Sequence, residues 1–349
     1  MAFLIGLLGT AVGAGIALPH AAKSGFTSTT VAGLICLVGG IVLLSCGAWR
    51  IVRSLRSIPA RVLAVLGMLV TGYVTVFALT LAVVATNVPP SSLDGTDPAG
   101  RGLAFADVEF TTSDGVQLSG WYLPARDGAV VALLHGSGST RVDVLPQAEV
   151  MSRNGFGVLM FDARGHGRSA WRAMDFGWYG DEDVRAAIDF LAGRPDVDSG
   201  RIGVVGMSMG GEEAVGALPS DPRIRAVVAE GATGRTAADK EWLSAAYGLR
   251  GAMQYGLDQV MTFATDMMTA AVPPTSLRQA VGRAAPRPVL LITAGAVPDE
   301  TIAAEFIRGG SPASVQIWNV PGGGHTGGLA TDPAGWEQRV TGFLDAALR

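Results

Sequence analysis

Residues 1–90 of this chain contain no aspartate or glutamate, and their fixed charges are Lys23, Arg50, Arg53, Arg56 and Arg61. Three apolar runs fill this quarter: 2–19, 28–48 and 62–86. A helix needs about 20 apolar residues to cross a hydrocarbon core of about 30 Å. The second and third runs reach that length, and the first is marginal. Lipid admits only helices and closed barrels, because every backbone polar group must be satisfied internally. The runs are therefore predicted as three transmembrane helices within residues 1–88. Run 2–19 lacks the basic n-region of a cleaved signal. Its Gly9 and Gly13 have the small-xxx-small spacing that permits close helix approach, so helix–helix self-association is a further expectation.

The stretch Trp49–Arg61 holds four arginines, against one lysine before the second run. Positive-inside bias places the arginine loop in the cytoplasm and everything after Val88 on the extracytoplasmic side. Residues 89–102, dominated by Pro, Gly, Ser and Asp, are predicted as a linker. The remaining chain carries all 30 acidic residues and 21 of the 26 basic ones. Such a domain is a poor partner for nucleic acid or anionic lipid. Cys36 and Cys46 are the two cysteines and both lie in one apolar run, so the rest of the chain has no disulfide framework and no cysteine metal site. Three helices without intramembrane charges are weak equipment for transport.

From residue 103 short apolar strands alternate with amphipathic helices. "LAFADVEFTT" and "VQLSGWYLP" flank a Ser-Asp-Gly turn and predict an antiparallel hairpin. "AVVALLHG", "FGVLMFDARG", "RIGVVGMS", "IRAVVAEGA", "PVLLITAG" and "SVQIWNVPG" follow as strands, with helices between most of them. The pattern predicts an α/β domain over 103–349, with a mostly parallel sheet and helices on both faces. Residues 232–286 interrupt it and are helical in propensity. A connection this long predicts a cap over the carboxyl ends of the strands.

Gly206-Met-Ser208-Met-Gly210 falls where a strand meets a helix. A sharp turn there needs glycines and presents the serine hydroxyl, while the next N–H lies at a helix N-terminus. Ser208 is thus the candidate nucleophile. Of the four histidines, His20 lies in or beside the membrane region, and His135 and His166 lie in or near buried strands. His325, in the glycine-rich "PGGGHTGG", is the candidate base. An orienting carboxylate completes such a set. Asp299 is the first choice, with Glu300 and Glu230 as alternatives. The N–H groups of Met209 and of Ser137 in "HGSG" are the candidate oxyanion donors. Glu212 and Glu213 are read as helix-terminus charges.

Together these residues resemble the α/β-hydrolase superfamily, over roughly 103–349. "GMSMGG" resembles the elbow of esterases, dienelactone-hydrolase-like proteins and prolyl-oligopeptidase-like peptidases. "HGSG" resembles that family's oxyanion loop, and "FDARGHGRS" resembles its structural D-x-R-G-x-G-x-S stretch. The chain order nucleophile, acid, base is also the one that fold uses. The family's acid often follows the strand-end glycine by three residues, whereas Asp299 follows Gly295 by four. The resemblance implies a serine hydrolase of esters, thioesters or related acyl compounds, requiring no metal or organic cofactor, and the three apolar runs, which it does not cover, are expected to anchor it in a membrane. Met253, Tyr255, Met261, Phe263, Met267 and Met268 of the interruption suit a small-molecule acyl or lipid-like substrate and serve equally as the core of the cap. A prolyl-oligopeptidase-like peptidase and a non-catalytic binding or sensing module are the alternatives.

Overall fold

The computed structural model describes residues 1–349 as two compact units. The first comprises Met1–Pro89 and Leu249–Ala271. Its long helices are α1 (Ala2–Ser24), α2 (Ser28–Ser54) and α3 (Ile58–Asn87), each long and apolar enough to cross a membrane. All three outrun the apolar segments 2–19, 28–48 and 62–86. Hydrogen bonding continues through Arg50 and Arg53, because an arginine in a last turn suits the helix dipole. The predicted arginine loop thus shrinks to a short break. Thr27 and Ser57 start α2 and α3 by accepting the N–H groups of Thr30 and Ala60. Gly33, Gly40 and Gly47 recur every seven residues along α2. A methyl group on Gly40 would lie 2.3 Å from the Thr10 nitrogen. Gly9 and Gly13 of α1 likewise face α2, so the small-residue stripe serves packing within this chain.

The second unit comprises Pro90–Gly248 and Val272–Arg349. Its elements run β1 (Ala106–Thr111), β2 (Gln117–Leu123), β3 (Val130–Leu134), α4 (Leu145–Arg153), β4 (Gly157–Phe161), α5 (Gly180–Ala192), β5 (Ile202–Met207), α6 (Met209–Ala217), β6 (Ile224–Glu230), α7 (Trp242–Asp266), α8 (Leu277–Ala284), β7 (Val289–Ala294), α9 (Pro298–Arg308), β8 (Val315–Val320), α10 (Gly328–Thr331) and α11 (Pro333–Leu348). The eight strands form one sheet in the order β1-β2-β4-β3-β5-β6-β7-β8. β1 and β2 form the predicted hairpin, β2 meets β4 antiparallel, and every other pairing is parallel. β3, β4, β5 and β7 are buried along their whole length, as unbroken apolar runs require.

Two apolar clusters cover the sheet's faces. Val184, Ile188 and Leu191 of α5 and Leu277 and Val281 of α8 belong to one. Leu145 and Met151 of α4 and Trp336, Val340 and Leu344 of α11 belong to the other. The sheet with helices on both faces is therefore the α/β-hydrolase arrangement.

Two boundaries differ from expectation. Residues 89–102 are not a free linker: the second unit begins at Pro90, Leu93 and Leu103 pack on its core, and Pro98 is buried in a short 3-10 turn capped by Asp97. The apolar residues scattered through that polar stretch supply the anchoring. The interruption 232–286 is helical, but it divides. α8 joins the sheet's core, whereas Leu249–Ala271 belong to the first unit. The division falls at Gly248, where α7 kinks through φ 55°, ψ −132°.

Candidate active site

Ser208 sits between the end of β5 and the first turn of α6 with φ 52° and ψ −121°. That region is strained for a residue with a Cβ and persists only where the surroundings impose it. Its N–H donates to the Glu230 carbonyl at 2.7 Å, tying the turn to the adjacent β6. Both flanking glycines are required. A Cβ on Gly206 would lie 2.2 Å from the Gly210 carbonyl oxygen, and one on Gly210 would lie 2.5 Å from that of His135.

His325 occupies the loop after β8. Its Nε2 lies 2.9 Å from Ser208 Oγ and its Nδ1 lies 2.6 Å from Glu300 Oε1. The structure thus brings together Ser208, His325 and Glu300, not Asp299. The reason is helical geometry. Both carboxylates stand in the first turn of α9, and successive residues there point about 100° apart. Glu300 turns inward, its side chain 2% exposed against 50% for His325, and its Oε2 accepts the Ala294 N–H at 2.8 Å. Asp299 turns outward and accepts the Tyr247 hydroxyl. The longer glutamate side chain spans the extra position beyond Gly295. Glu230, the other alternative, is also engaged elsewhere. Its two oxygens accept the Gly328 N–H at 2.7 Å and the Trp336 indole N–H at 2.9 Å. It braces the segment just after His325 without touching the imidazole.

Hydrogen bonding to Glu300 raises the His325 pKa above its ordinary value, against the opposing effect of burial. Glu212 and Glu213 are not solvated helix-end charges. Glu212 accepts the N–H groups of Thr233 and Gly234, and burial raises both carboxyls, Glu213 well above its usual range.

The "HGSG" loop runs past Ser208. A Cβ on Gly136 would lie 3.2 Å from that of Ser208. The loop is held by side chains that sequence reasoning did not assign to it. His135 Nδ1–H donates to Gly136 O at 2.8 Å, while its Nε2 accepts the Ala163 N–H at 3.0 Å. This arrangement needs a neutral ring, and burial lowers the His135 pKa to about 4. His166 Nε2 accepts the Gly138 N–H at 3.1 Å, and Ser91 Oγ donates to Gly138 O at 2.6 Å. The spacing of "HGSG" and "RGHG" gave no signal that the two imidazoles would pack edge to face, 4.8 Å apart. Met209 opens α6, so helix geometry leaves its N–H without an intrahelical partner. Asp162 accepts the N–H groups of Arg141 and Arg168, and Arg164 pairs with Asp183 and Asp114. The D-x-R-G-x-G-x-S stretch is a buried scaffold behind the site.

A cavity of about 320 Å³ opens beside Ser208, lined among others by Gly136, Ser137, Asp143, Gln147, His325 and Thr326. It lies at the small end of ligand pockets. No group of three or more His, Cys, Asp or Glu side chains is placed to hold a metal ion.

Comparison with known proteins agrees with this architecture. Residues 125–270 match the family described as serine aminopeptidase, S33, a span that includes Ser208 but ends before Glu300 and His325. A thiohydrolase, aneE, of Aspergillus aculeatus is 36% identical over 128 residues, 36% of this chain and 40% of that protein. An uncharacterized Mycobacterium tuberculosis protein, Rv2307c, is 36% identical over 137 residues, 38% of this chain and 46% of its own length. The chain thus spans less than half the length of these relatives. Among solved structures, the esterase Pf2001 of Pyrococcus furiosus superposes with a TM-score of 0.56 at 26% identity, covering 75% of this chain and 100% of its own. The chain has the α/β-hydrolase fold.

Proposed function

We propose that this protein is a membrane-anchored serine hydrolase that cleaves an ester, thioester or related acyl bond on the extracytoplasmic side. The observation that carries the reading is the continuous relay from Ser208 through His325 to Glu300, at 2.9 and 2.6 Å. His325 takes the hydroxyl proton as Ser208 Oγ attacks the acyl carbonyl. Glu300 fixes the tautomer with Nε2 facing the serine and stabilises the imidazolium that forms. The N–H groups of Met209 and Ser137 receive the developing oxyanion, each worth about 10²–10³-fold in rate. His325 then protonates the leaving group, and the acyl group stays on Ser208 Oγ. Water, deprotonated by His325, attacks that ester and releases the acid. The esterase neighbour and the thiohydrolase relative favour acyl substrates of this kind.

A peptidase is the second reading, favoured by the family matched over 125–270. A series of p-nitrophenyl esters of increasing chain length, set beside aminoacyl p-nitroanilides, separates the two. Ester turnover that disappears in Ser208→Ala supports the hydrolase. Equal ester turnover in wild type and Ser208→Ala contradicts it, and turnover of the anilides alone transfers the assignment to a peptidase.

A further inference from the structure

α7 beyond its kink carries an exposed apolar stripe. Leu249, Met253, Val260, Phe263 and Met267 are all exposed, four of them by 66–80%. At 3.6 residues per turn they fall within about 40° of one line along the helix. The opposite side carries Thr265, which is buried, and Asp258 and Thr262, which are half-buried. The Thr265 hydroxyl donates back to the Met261 carbonyl, leaving no polar atom of its own to be hydrated. A helix in water shows solvent its polar side and hides its apolar one. This one presents an apolar line to solvent, with the exposed Arg250, Gln254, Gln259 and Asp266 off that line. Its exposed residues also continue a theme. Residues 249–271 belong to the same compact unit as α1, α2 and α3, whose outward side chains include Leu4, Ile35, Leu63 and Leu69, all largely exposed.

We infer that residues 249–267 lie in the surface of the bilayer, with the Leu249–Met267 stripe buried among the acyl chains. The partner is a lipid surface, bound by apolar burial. Arg250 is the lone basic residue of the segment, against Asp258 and Asp266, so attraction to anionic headgroups is not the driving force. The inference rests on the proposed reading of α1–α3 as membrane spans.

Depth-dependent quenching tests this. The full chain carrying Cys36→Ser and Cys46→Ser is given one cysteine at a time, at Phe263, at Gln254 on the opposite side of α7 or at Leu66 on α3. Each is labelled with an environment-sensitive nitrobenzoxadiazole dye and reconstituted into phosphatidylcholine vesicles containing doxyl-labelled lipid. All three positions are exposed, so folding tolerates the label. The expected result is a blue-shifted, quenched dye at positions 66 and 263, with quenching at 263 at least threefold stronger than at 254. Quenching at 66 with a water-like, unquenched dye at 263 overturns the inference and leaves the spans standing. An unquenched dye at 66 as well overturns both.

Discussion

In the proposed mechanism His325 accepts the Ser208 proton only when its Nε2 is unprotonated, so activity turns on one imidazole and the carboxylate behind it. Because Glu300 raises the His325 pKa, activity should climb with pH through an apparent pKa above the ordinary histidine value of about 6.5. Glu300→Gln removes the cause of that shift. Its acid limb should move to lower pH, and kcat should fall by about 10³–10⁴-fold. Asp299→Asn, which loses only the Tyr247 contact, should stay within about threefold of wild type, a loss of well under 1.4 kcal/mol. pH–rate profiles for p-nitrophenyl butyrate decide the matter, and the reverse ranking would return the acid to Asp299. His135 gives a second, opposite titration. It is neutral in the fold, with a pKa lowered to about 4, and titrates near 6.5 when unfolded. Between those values the unfolded chain binds a proton that the folded chain refuses. Stability should therefore drop as pH falls through that window, by up to roughly 3 kcal/mol for this group. Melting in detergent from pH 7 to 4.5 should show a shallower decline for His135→Asn than for wild type.

At the scale of elements, close approach matters most between α1 and α2. Gly40→Ala would place a methyl group 2.3 Å from the Thr10 nitrogen, whereas one on Gly39 would meet nothing within 4 Å. The first should cost about 1–3 kcal/mol through overpacking, and the second should be neutral or gain up to about 1 kcal/mol of helix propensity. Thermal melts of the two variants test that contrast, and equal losses would mean that the helix pair is not packed as described. All eight strands were legible in the sequence: β3–β7 as short, largely apolar runs, and β1, β2 and β8 as mixed polar and apolar segments bounded by turn residues. The ends of α1–α3 were not; in α2, for example, hydrogen bonding continues past the last apolar residue into Arg50 and Arg53. Ser208 and His325 were legible from the elbow's glycines and from the shortage of histidines. Glu300 was not separable from Asp299, because adjacent positions in a helix differ by a rotation that the sequence does not display. The support that Ser91, His135 and His166 give the "HGSG" loop depends on contacts between distant segments, which no local pattern carries.

For the whole molecule, the proposed placement of the chemistry at a membrane rests on the charge-poor quarter. If α1–α3 span the membrane with Arg50–Arg61 in the cytoplasm, alkaline phosphatase fused after Arg349 should be active in a bacterial host, and a green fluorescent protein there should stay dark. A fluorescent fusion with inactive phosphatase would invert the topology and leave the chemistry untouched. The chemistry itself is tested most directly by treating the intact protein in vesicles with a fluorophosphonate and locating the adduct by mass spectrometry. The account predicts stoichiometric modification of Ser208, abolished in Ser208→Ala and slowed by at least about 10³-fold in His325→Ala, as a nucleophile deprived of its base requires. Folded protein that leaves Ser208 unmodified, or that is modified equally fast without His325, would contradict it.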